Sequence, residues 1–87
     1  MAKQEKKIQS KELVKAWRQF TKAMYDELAL REANGWEGWD DNDEFSDRNL
    51  IARAERNLRK FRRNPNVPGH GIDVANLMTF VWYRHKL

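Results

Sequence analysis

Between Arg48 and Arg63 the sequence carries seven basic residues and one acid, Glu55. Within that block Arg53, Arg56 and Arg59 recur at three-residue steps, so on a helix each lies about one turn from the next. Guanidinium groups are planar, permanently charged, and carry donors in a fork that matches phosphate and carboxylate oxygens. The chemistry on offer is therefore anion recognition, and these three arginines are the expected phosphate or anion-binding residues. Pairing with carboxylates of the same chain or of a partner is the competing use. Seven positive charges on one helix also suit a nucleic-acid backbone, bound with salt-dependent affinity. Against that use, an acidic stretch precedes the helix, and no spacing marks a recognition helix.

A second set of candidates lies just upstream, in Gly35-Trp36-Glu37-Gly38-Trp39. Two indoles in so polar a loop do not sit in water without cause. Trp36 and Trp39 either fold back as a lid on the hydrophobic core or form one wall of a ligand site. Asp73 is placed to cap a helix N-terminus through the first N–H groups. Asn76 is expected to bond a neighbouring backbone group, and His70, between two glycines, to sit exposed in a loop. Cysteine is absent, which removes thiol catalysis, disulfides and thiolate zinc sites.

These residues need helices to position them. Leu13, Trp17, Phe20, Met24 and Leu28 follow a helical period, predicting an amphipathic helix from about Ser10, its N-cap, to Arg31. Ser46 opens a second helix, whose apolar stripe is Leu50, Ile51, Ala54, Leu58 and Phe61. The stretch from Asn64 to Gly71, with Pro65 and Pro68, is expected to end it. From Ile72 to Tyr83 nine of twelve residues are apolar, and the pattern predicts a last helix from Ile72 to about His85. A helix apolar nearly all round must be covered nearly all round, which a second copy of the chain can do. The expectation is an all-α, three-helix unit over residues 10–87, with a flexible basic N-terminus over 1–9. Homo-oligomerisation through the last helix completes the bundle.

At 87 residues and 10.4 kDa the chain accommodates one domain. Its net charge of +4 hides strong segregation. Residues 1–15 hold five Lys and two Glu, residues 26–47 hold nine acids and only Arg31, and residues 48–63 return to a surplus of +6. No stretch approaches the roughly 18 consecutive apolar residues of a membrane span. The charged start leads into no apolar signal core, so the expected location is cytoplasmic, with no membrane contact.

Four segments together resemble the short MazG-like proteins: Met24 with Leu28, the Gly35–Trp39 turn, Leu50–Phe61, and Ile72-Asp73-Val74-Ala75-Asn76. The resemblance spans roughly residues 17–84. It implies an all-α nucleoside triphosphate pyrophosphohydrolase scaffold that oligomerises, of a kind common in tailed phages and archaea. It also implies a magnesium site built from Glu-Glu-x-x-Glu on one helix and Glu-x-x-Asp at the start of the next. The matching positions here read Glu55-Arg56-Asn57-Leu58-Arg59 and His70-Gly71-Ile72-Asp73, so only Glu55 and Asp73 keep their acids. An arginine does not lose its proton in a protein and cannot ligate the ion.

The expected function is thus non-catalytic binding of a nucleotide, or of an anionic (acidic) protein surface, by a MazG-like scaffold whose metal motif is degenerate. A phage regulatory or anti-defence role in the host cytoplasm fits the resemblance, and no cofactor is expected. One alternative is a pyrophosphohydrolase in which Glu55, Asp73 and the loop acids Asp40, Asp41, Asp43 and Glu44 hold Mg²⁺. The other is a nucleic-acid-binding protein that uses the basic second helix.

Overall fold

Three α-helices, α1 (Lys11–Ala33), α2 (Asp47–Arg63) and α3 (Pro68–Lys86), form the chain in a computed structural model that describes residues 6–40 and 45–86. No strand occurs among the described residues. The expected flexible N-terminus lies outside them for residues 1–5, and Lys6–Gln9 are exposed without regular structure. Both predicted N-caps form: Ser10 Oγ accepts the Leu13 N–H at 3.2 Å, and Ser46 Oγ accepts the Asn49 N–H at 3.1 Å. Each satisfies one of the unpaired donors of a first turn, a contribution of about 1 kcal/mol.

The end of α1 decides where the Trp loop goes. Gly35 has φ +84°, in the left-handed region that glycine adopts without strain. Its N–H donates to Glu32 O at 3.0 Å, and the Trp36 N–H donates to Arg31 O at 2.9 Å. This crossed pair of bonds reverses the chain and satisfies two orphaned carbonyls. The indole of Trp36 is thereby carried back beside the last turn of α1 and onto α3.

The start of α3 corrects the expectation. The helix begins at Pro68, not Ile72, because proline at a first helical position gives up only an N–H that has no partner there anyway. His70 is accordingly a half-buried helical residue, and Asp73 stands in the second turn, where it does not cap. Gly71 is buried, and a Cβ there would lie 2.9 Å from Phe61 Cε2, so the missing side chain lets α3 pass close to α2.

Helix α3 is the centre of the fold. Helix α2 packs antiparallel along it, whereas α1 approaches α3 alone. Leu50, fully buried, and Ala54 on α2 form the core with Phe80 on α3. Trp36 and Trp39 close over it, with ring centroids 5.5 and 5.1 Å from Phe80. At the far end Asp47 meets Arg84 at 3.4 Å and His85 at 2.5 Å, fastening the first turn of α2 to the last turn of α3.

The apolar stripes exceed what three helices cover. Met24 and Leu28 are half-buried, but Leu13, Trp17 and Phe20, farther up the same face of α1, remain exposed. No residue of α1 is fully buried, and Ile51 and Leu58 of α2 also stay exposed. The Cα radius of gyration is 15.2 Å, against about 12 Å for a compact chain of this length. No helix among the described residues is long and apolar enough to cross a membrane.

Candidate functional site

On α2 the residues Arg53, Arg56, Asn57 and Lys60 stand at helical spacings of three, four and seven, so they share one face. That face adjoins the one on which Leu50 and Ala54 are buried. Packing of α2 onto α3 therefore holds the four polar side chains beside the core, where they form one wall of an open cavity of about 560 Å³. The opposite wall is α3, with Asp73, Asn76, Leu77 and Phe80. Leu28 and Arg31 of α1 close an edge, and Trp36 stands at the aromatic end.

Of the three arginines singled out from sequence, Arg53 and Arg56 line this cavity and Arg59 does not. Arg59 lies farther round the helix and is exposed, as is Glu55. Trp36 unites the two readings of the loop, since it covers Phe80 and also bounds the cavity. Trp39 lies elsewhere. It packs between Phe80 and Tyr83 and lines an adjoining apolar groove of about 310 Å³ with Trp82 and Thr79, which shares Leu28, Trp36 and Phe80 with the cavity.

Among the described lining residues the charge balance is positive. Arg31, Arg53, Arg56 and Lys60 face one carboxylate, Asp73. Arg31 is held in place, with Nε donating to Glu27 Oε1 at 3.0 Å and Nη2 lying 3.4 Å from Asp73 Oδ1. Arg53 rests over the Phe45 ring, 4.9 Å from its centroid. Arg56 and Lys60 form no ion pair among the described residues, and neither does Arg59. Of the acids of the 26–47 segment, Asp26 pairs instead with Lys22, Glu27 with Arg31, and Asp47 with Arg84 and His85. Asp41, Asp43 and Glu44 lie outside the described residues. Like charges gathered around one concavity repel one another, and an anion placed among them relieves that repulsion.

Asn76 is the one polar side chain of the described core, at 4 % exposure. Its Nδ2 donates to the Met24 carbonyl oxygen at 3.3 Å, the backbone bond expected from sequence. Its Oδ1 is buried and has no partner.

No family model, curated protein or solved structure matches the chain.

The magnesium pair implied by the resemblance, Glu55 and Asp73, is not gathered at the cavity: Asp73 lines it and Glu55 faces solvent. Among the described residues no three His, Asp or Glu side chains converge. A hard dication needs several oxygen ligands in octahedral array. Among the described lining residues, a single carboxylate already facing an arginine, with three more cations around the same cavity, does not supply that array.

Sequence reasoning missed Arg31, Asn57 and Lys60. Arg31 carried a signal, as the only base among nine acids over 26–47. Lys60 carried another, standing four residues after Arg56 and seven after Arg53. The unpartnered oxygen of Asn76 carried none, because it depends on what α1 brings against α3.

Proposed function

We propose that this cavity binds a nucleotide, with the phosphates on Arg53, Arg56, Lys60 and Arg31 and the base toward Trp36 and Phe80, and that it holds the ligand without hydrolysing it. The observation that carries this reading is the convergence of four cations on one concavity that ends in two aromatic rings. Its volume of about 560 Å³ lies within the range of roughly 300–1,000 Å³ usual for small-ligand sites. Concavity favours a small ligand over the flat acidic surface of another protein. The donor set, with one acid among the described lining residues, favours retention over metal-assisted turnover.

The exposed apolar residues support a companion reading, association of copies of the chain. Met78 and Trp82 stand one turn apart on α3 and are exposed, as the expectation of contact through the last helix requires. Leu13, Trp17 and Phe20 extend the same need to α1.

Titration with nucleoside triphosphates, followed by tryptophan fluorescence and calorimetry, tests the function. Saturable binding that weakens with salt and in Arg56→Ala, with no pyrophosphate released in the presence of Mg²⁺, is the expected result. No binding at millimolar nucleotide overturns the proposal. Release of pyrophosphate, abolished in Glu55→Ala, replaces it with the hydrolase. Retention on DNA with no affinity for nucleotides replaces it with the nucleic-acid reading.

A further inference from the structure

We infer that a phosphate chain in the cavity clamps α1 to the other two helices, so that occupancy of the site sets how firmly α1 is docked. The inference rests on the nucleotide reading above and adds a conformational consequence to it.

Helix α1 is lightly held. None of its residues is fully buried, and no Cα of α1 lies within 8 Å of one in α2. Its hold on α3 centres on Met24, Leu28 and Arg31, all in its C-terminal half. Met24 and Leu28 are half-buried, Met24 O accepts from Asn76 Nδ2 at 3.3 Å, and Arg31 meets Asp73 at 3.4 Å. The ion pair is partly exposed, and such a pair contributes little. A single helix away from its neighbours is marginal in water, so α1 owes much of its order to this docking. Elements with few buried contacts open at lower free energy than the core.

The cavity lies where α1 and α2 face each other beside α3. Leu28 and Arg31 bound it from α1, and Arg53, Arg56 and Lys60 from α2. Across this space Arg31 and the cations of α2 repel one another. A triphosphate between them carries more charge than the Asp73 carboxylate and meets cations from both helices at once. Repulsion between α1 and α2 then becomes attraction of both to one anion, through charge-assisted bonds stronger than an exposed pair. A ligand gripped in this way opposes the opening of α1, because the open form loses the Arg31 side of the site.

Hydrogen exchange of the full chain, resolved by peptide, tests the clamp with tripolyphosphate as probe. Without the probe, α1 is expected to exchange about tenfold faster than α2 around Leu50 and Ala54, or more. At about one hundred times the Kd of the probe, measured by calorimetry, exchange in the C-terminal half of α1 is expected to slow at least tenfold. In Arg31→Ala, at the same multiple of its own Kd, that slowing is expected to fall below about twofold while α2 stays protected. The comparison of helices in the unaltered chain stands even if the variant does not fold. The clamp is overturned by α1 exchanging as slowly as α2 without the probe, by slowing that spares α1, or by equal slowing of α1 in Arg31→Ala. Each of those results leaves anion binding intact. Absence of binding by tripolyphosphate and by nucleoside triphosphates removes both.

Discussion

Arg31 Nη2 lies 3.4 Å from Asp73 Oδ1, joining the last turn of α1 to the second turn of α3 across 42 positions of sequence. This contact closes an edge of the cavity and sets one negative charge among four positive ones. An incoming phosphate competes with the carboxylate for the same guanidinium.

Asp73→Asn is therefore expected to tighten binding of a nucleoside triphosphate, by about three- to tenfold. Both partners are partly exposed, with side-chain exposures of 42 % and 26 %, so the loss of folding stability is expected to stay below about 1 kcal/mol. Calorimetric titration beside urea unfolding reads both effects. Weaker binding in this variant contradicts the placement of Asp73 as a competitor.

The arginines of α2 divide by face. Arg56→Ala and Lys60→Ala are each expected to weaken nucleotide binding about tenfold and to flatten its dependence on salt, since each removes a charge-assisted contact. Arg59→Ala, outside the cavity lining, is expected to change affinity less than about twofold. Equal losses at all three positions would point to diffuse attraction and not to a cavity.

Phe80 bears the load of both tryptophans and of the α2–α3 contact. Phe80→Ala is expected to cost about 3–5 kcal/mol, through lost burial and the cavity left behind. With Leu50, Ala54 and Phe80 the only buried large or aliphatic apolar side chains among the described residues, little stability remains to absorb that loss. Far-UV circular dichroism with urea titration measures it, and a shift under about 1 kcal/mol would contradict this core.

Trp17 is 58 % exposed on the uncovered half of the α1 stripe. If copies associate across this face, sedimentation of the unaltered chain shows a dimer or larger species. Trp17→Glu is then expected to shift it toward monomer without loss of helix. A monomeric unaltered chain at tens of micromolar removes the companion reading.

Much of the local architecture was readable in advance. Ser10 and Ser46 announced two helices because a capping hydroxyl acts on N–H groups only three residues away. The Gly35–Trp39 turn after α1 is legible in the same way. The start of α3 is less legible, because Pro68, Gly69 and Gly71 are locally helix breakers. At a first helical position proline is tolerated, and at Gly71 the missing side chain serves contact with Phe61.

By itself the sequence determined three helices, their caps and the basic run of α2, since each of these depends on neighbours within a turn or two. Only the tertiary structure decided that Arg53, Arg56 and Lys60 line one cavity while Arg59 and Glu55 do not, that Arg31 reaches Asp73, and that one oxygen of Asn76 is left without a donor. Those relations depend on how Leu50 and Ala54 seat against α3, and on where α1 meets it. A helical period records which residues share a face of one helix. It does not record what stands opposite.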